Sequence, residues 1–252
     1  MTFFVNFMGK IGTMRKIIFF CLATFTALSL LTSCKDDTSG GTDVNIYKVP
    51  ADIAVRYLAL AFSNATTGIN FHMENLAKYA AAGSGNFDTT FVLKKVDTSA
   101  VVKYQYIVDY QYTNLTSQPH SADLEYSANG NFSASNLLSI DRPDGSWIIS
   151  GLDQSRMTLT GTGSITGEES AITEKVTFSS MVNYTFHNVM MNKVTFKADT
   201  GSATVNIHGS GPGYVDFAYS GTLSFNGNRK ATLVLSGTTY DLNLDTGNYS
   251  KK

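Results

Sequence analysis

Four carboxylates could do acid–base chemistry if the fold brought two of them together: Asp109, Glu125, Asp153 and Glu174. Glycoside hydrolysis needs such a pair, and the pair is spatial, so no sequence spacing announces it. Nothing singles these four out, and a solvated face is the expectation. The segment Asp141-Arg142-Pro143-Asp144-Gly145-Ser146-Trp147 is more suggestive. Asp141 and Asp144 could hold Ca²⁺, and Trp147 could stack on a sugar ring. The simpler reading is a Pro-Asp-Gly turn, with Trp147 anchoring the strand that follows. Tyr104, Tyr106, Tyr110 and Tyr112 recur on the same side of a period-two run. They could line a groove for a glycan or an apolar ligand, although packing in a sheet core is the expectation.

Other chemistries find little support. His72, His120, His187 and His208 have no second His or Cys at ligand spacing. His187 and His208 fall in strand-like runs and could converge, but solvent-facing strand positions are expected, and no metal is. Gly209-Ser210-Gly211 lacks the strand-to-helix context of a nucleophile elbow. Gly161, Gly163 and Gly167 lie among strand residues, which is the wrong setting for a phosphate cradle. We expect neither a cofactor nor catalysis by this chain.

The cysteines say most. Only Cys21 and Cys34 occur. Met14-Arg15-Lys16 is positive, Ile17 to Leu31 is an uncharged apolar core, and Thr32-Ser33 are small, the three zones of an export signal. A core of about fifteen residues is short of the roughly twenty that span a bilayer. Residues 1–33 therefore read as leader and signal peptide, with Met14 the better start. The tetrad Leu31-Thr32-Ser33-Cys34 resembles a bacterial lipobox. The resemblance implies cleavage before Cys34 and acylation of its thiol and amine, by a diacylglycerol and a fatty acyl chain such as palmitate. Several chains anchor stably where one is marginal. Lys35-Asp36-Asp37 resembles the Lys-acid-acid signal of surface-exported lipoproteins in Bacteroidota, and the leader with it resembles that of the uncharacterised exported lipoproteins of that group. Asp88-Thr89-Thr90 resembles their O-glycosylation acceptor, which implies sugar on Thr89. On this reading no free thiol and no disulfide remain after export, which excludes cysteine catalysis and thiolate metal sites.

Charge narrows the partners. Of 19 basic and 20 acidic side chains, Lys10, Arg15 and Lys16 precede Cys34, and no acid does. The exported part is net acidic, which argues against nucleic acid, whose phosphates need clustered Lys and Arg. The membrane is the expected partner through the Cys34 lipid, with a glycan or an envelope protein as the ligand.

The elements that would position these groups follow from periodicity. Residues 34–49 are rich in Asp, Thr, Ser and Gly and read as a tether, or toward Val44–Val49 as an edge strand. Residues 50–83 form a helical segment: Pro50 suits a first turn, Ile53, Tyr57 and Leu60 recur at helical spacing, and Phe71–Ala82 reads as a second helix ending at Gly83. From about residue 84 to 252 the period is two. Strands are expected over 102–112, 176–186, 194–196, 205–207, 215–225, 233–235 and 240–244. Turn signals sit at Asn129-Gly130, Pro143-Asp144-Gly145, Gly211-Pro212-Gly213, Asn226-Gly227 and Ser236-Gly237. The prediction is a mainly β protein of ten to twelve strands. They form one large antiparallel sheet, curved or doubled into a sandwich, with the helical segment packed on it. The stretch from Ser220 to Gly247 is similar to the closing meander of the same lipoproteins, which implies kinship of fold. The functional expectation is a lipoprotein of the outer membrane, its domain facing the cell surface or the periplasm. Its role would be binding or structural: glycan capture, adhesion or support of an envelope complex. A carrier of apolar ligands in a curved sheet and a secreted carboxylate hydrolase are the alternatives.

Overall fold

A computed structural model describes residues 47–82, 89–98, 102–114, 120–212 and 214–252. The leader, Cys34 and its acylation, the tether up to residue 46, and the Gly83 stop lie outside them. The elements run β1 (Tyr47–Lys48), α1 (Ala51–Ala61), α2 (Ile69–Ala82), β2 (Thr89–Thr98), β3 (Val102–Asn114), β4 (Ala122–Ala134), β5 (Leu137–Ser150), β6 (Arg156–Ala171), β7 (Val176–Asn192), β8 (Ala198–Gly211), β9 (Tyr214–Phe225), β10 (Lys230–Leu235), β11 (Thr238–Asn243) and β12 (Tyr249–Lys251).

Strands β2 to β12 lie side by side in chain order, each antiparallel to its neighbours, and β1 pairs parallel with the start of β9. The protein is thus mainly β, as its periodicity predicts. Alternation drives the arrangement: along β7 the residues from Val176 to Phe186 are buried at every second position. Each such face must be covered, and the two helices cover it.

Helix α1 opens after Pro50, whose carbonyl accepts from the amides of Ile53 and Ala54. Eight of its eleven residues are buried, so apolar surface surrounds nearly the whole helix. The sheet supplies it by curling. Tyr57 reaches Asp141 on β5, Phe62 packs edge-on against Tyr184 of β7, and Tyr249 of β12 donates to the carbonyl of Asp52. Strands far apart in the sheet therefore meet the same helix. Burying side chains such as Leu58, Leu60 and Phe62 contributes about 1.5–3 kcal/mol each. Helix α2 lays His72, Met73 and Leu76 on the same core. Arg229, in the β9–β10 turn, clamps α2 through Glu74 at 2.7 Å.

Turns alternate between two ends of the sheet. The β1 end carries residues 135–136, 172–175 and Pro212, and β1 joins there beside Tyr214 and Val215. The opposite end carries 151–155, 193–197, 226–229 and 244–248.

Three local expectations are corrected. Residues 194–196 form the β7–β8 turn, not a strand. Asn129-Gly130 and Pro143-Asp144-Gly145 are not turns; they lie inside β4 and β5. These two motifs face each other where the β4–β5 pairing lapses, between Ser127/Asp144 and Gly130/Asp141, while the β5–β6 pairing runs on unbroken. A proline can sit in a central strand at such a gap, because its missing N–H is not needed there. Gly130 belongs there for a second reason: a Cβ would lie 2.2 Å from the Tyr106 ring.

Candidate functional site: a polar groove on the outer face

The outward side chains of β3 to β7 build the site. Strand register aligns Asp109, Ser127, Asp144, Ser164 and Asn183 in one row across five strands. The next row is Gln111, Glu125, Ser146, Thr162 and Thr185. Side chains here are short and polar, so the sheet surface between them is a trough of about 780 Å³, floored in part by Gly145 and Gly163. Its lining has three carboxylates, two carboxamides, five Ser or Thr hydroxyls and two Tyr hydroxyls, and no Lys, Arg or His among the described residues.

Asp144 is the best-fixed member. Ser164 Oγ donates to Asp144 Oδ2 at 3.0 Å, and Tyr184 Oη donates to the Asp144 carbonyl at 3.2 Å. Tyr126 and Tyr184 hydroxyls meet beneath at 2.7 Å. Burial first, then the Tyr184 hydroxyl, pushes the Tyr126 phenol up, so it stays protonated. The groove can therefore present acceptors (three carboxylates, two amide oxygens) and donors (hydroxyls, two amide N–H₂ groups) to one ligand.

Of the ligand-contact candidates, the groove takes Asp144 and leaves three behind. Trp147 has no exposed surface; its ring packs on Tyr126 at 4.8 Å and Phe186 at 5.5 Å, so it meets no sugar from solvent. Tyr104 and Tyr106 point inward and are buried, as sheet packing requires. Of the four carboxylates, Asp109 and Glu125 come together in the groove. Asp153 lies in the β5–β6 turn, and Glu174 in the β6–β7 turn pairs with Arg56 at 2.9 Å. Thr89 opens β2 at the edge of the sheet; Asp88 lies outside the described residues. Asp141 and Asp144 do not share a cation. Their separation by three positions puts Asp141 on the inner face and Asp144 on the outer. His187 bonds Thr204 at 2.9 Å, and among the described residues no three His, Cys, Asp or Glu side chains gather as metal ligands.

The inner face holds a second polar cluster that sequence reasoning missed. Asp141 and Glu169 are each 2 % exposed beneath α1. Tyr57 and Tyr106 donate to the two oxygens of Asp141 at 3.3 Å each, and Ser139 donates to it as well. Ser180 donates to Glu169 at 2.7 Å. Burial raises Asp141 to about 6, against the pull of those donors. Burial and then the Asp141 charge raise Glu169 to about 8, so at neutral pH Glu169 keeps its proton. Gly167 makes the room: a Cβ there would fall 2.1 Å from Glu169 Oε1 and 2.9 Å from Asp141 Oδ1. The signal was present in Ile165, Gly167, Glu169, Ala171, an inward set with an acid in it. Perturbed carboxyls often mark active sites; these two are sealed beneath α1, each 2 % exposed.

Comparison with family models, curated proteins and solved structures gives no match.

Proposed function

We propose that the protein is a lipoprotein of the outer membrane, held by acylated Cys34, that binds a neutral or amino-bearing glycan in the β3–β7 groove without catalysis of its own. The observation that carries the reading is the groove's lining. Asp109, Glu125 and Asp144 stand among Ser, Thr, Gln and Asn side chains, and among the described residues no cation lines the groove, Arg142 standing one row away on β5. Vicinal sugar hydroxyls donate to carboxylates and accept from amides and hydroxyls, so such a surface satisfies a saccharide at many points. Uronates, phosphates and nucleic acid would meet three carboxylates with no cation in the described lining. The Cys34 signal supports placement at the membrane, with the domain facing the cell surface.

The test compares the native chain with Glu125→Gln and Asp144→Ala on an array of neutral, amino-bearing and anionic oligosaccharides. Losing one charge-assisted hydrogen bond costs about 1.5–3 kcal/mol, so affinity for the captured glycan falls roughly ten- to a hundredfold. Unchanged affinity in both variants, or capture of anionic glycans alone, contradicts the proposal.

A further inference from the structure

The outer face is divided. The two groove rows carry only polar residues from β3 to β7, and the rows toward the β1 end are different. There Val96, Ile107, Leu138, Ile140 and Ile172 are each 43–55 % exposed, set among polar neighbours such as Asn129 and Asn131. Register puts Val96 and Ile140 in one row, through Gln105 and Asn131, with Leu138 in the row beyond and Ile172 in the turn past it. Lys103, Arg142 and Lys175 are exposed in the same zone, and so are three acids: Glu168 beside Ile140, Glu174 in the 172–175 turn, where it pairs with Arg56, and Asp216 on β9. Other exposed apolar residues, such as Ile148 and Val194, stand singly elsewhere.

The chain joins the sheet at this same end, where Tyr47 and Lys48 pair with Tyr214 and Val215. Lys48 lies over the Tyr219 ring at 4.4 Å, and Tyr219 Oη donates to the Val49 carbonyl at 2.6 Å, so the attachment is fixed. Twelve residues separate Cys34 from Tyr47. Fully extended they reach about 40 Å. The opposite end of the sheet lies about another 40 Å away along β9, a strand of 12 residues.

We propose that the β1 end is the membrane-docking surface of the domain. Its half-exposed aliphatic side chains enter the headgroup boundary, while Lys103, Arg142 and Lys175 meet lipid phosphates. Aliphatic side chains at the acyl boundary with cations at headgroup depth is how peripheral surfaces bind bilayers. The groove rows then sit on the side of that zone away from the lipid, open to solvent. The inference rests on the proposed Cys34 anchor, which supplies the tethering.

The test uses the full chain purified from cells and reconstituted in vesicles of phosphatidylethanolamine and phosphatidylglycerol carrying bromine on the acyl chains. A fluorophore is placed through Ile140→Cys or Ile172→Cys, and through Thr195→Cys or Asn226→Cys at the opposite end. The proposal expects quenching several-fold greater at the first pair. Hydrogen exchange of the unsubstituted chain serves as the second measurement: residues 172–175 gain protection in vesicles relative to detergent, and residues 193–197 do not. Intact mass of the N-terminal peptide reads the anchor separately. Lipid on Cys34 with equal or reversed quenching overturns the docking surface and leaves the anchor standing. A bare Cys34 thiol overturns the anchor, and the docking surface with it.

Discussion

Glu169 is the residue whose chemistry departs most from its ordinary behaviour, and its consequence for stability has a definite sign. Its pKa is raised from 4.5 to about 8 in the folded protein. The native state therefore holds the proton more tightly than the unfolded chain does. That stabilisation is complete below pH 4.5 and is lost as pH rises through 8. Asp141 behaves likewise but titrates near 6, so the window from pH 6 to 8.5 isolates Glu169. Denaturant unfolding across that window should show native stability falling by about 2–3 kcal/mol. Glu169→Gln keeps a neutral side chain there and flattens the slope. An equal slope in both proteins would contradict the assignment. The pair was legible in part. Inward placement of Glu169 follows from strand parity, whereas the approach of Asp141 depends on register between β5 and β6, which no local pattern encodes. The same holds for the groove: Asp109, Glu125 and Asp144 are 16 and 19 positions apart along the chain and become neighbours only across paired strands.

Helix α1 decides the element scale. It is enclosed on nearly all sides, and its two kinds of contact differ in weight. Leu60 is fully buried in the core. Leu60→Ala leaves a cavity and should cost about 2–5 kcal/mol, read as a lower denaturant midpoint. The Arg56–Glu174 pair is partly open to solvent, with Glu174 37 % exposed, and Arg56→Ala should cost less, about 0–1 kcal/mol. A larger loss for Arg56 than for Leu60 would mean that charge, not packing, seats the helix. Much at this scale was legible. Period-two runs located β3 and β7, and the helical spacing of Ile53, Tyr57 and Leu60 located α1. The misread turns show the limit. Asn-Gly and Pro-Asp-Gly favour turns by local backbone chemistry, but an opposed pair of them can be absorbed at a lapse in strand pairing. There Gly130 also admits the Tyr106 ring. Tertiary packing overrode the local preference.

At the scale of the whole molecule, a long meander needs a partner for its apolar face, and a curled sheet around two helices provides one without a second sheet. The outer face is then free to differ along its length, polar across the groove rows and, toward the end where the chain joins, studded with half-exposed aliphatic side chains. Trp147 and the inward tyrosines, for which ligand contact was the alternative to core packing, are consumed by the core. The proposed binding falls instead to short polar side chains that strand register aligns. Backbone amide NMR of the native chain titrated with neutral and amino-bearing oligosaccharides tests this most directly. The account predicts saturable shifts gathered on Asp109, Glu125, Asp144, Ser164 and Asn183; shifts confined to other strands, or none with any of these saccharides, would contradict it.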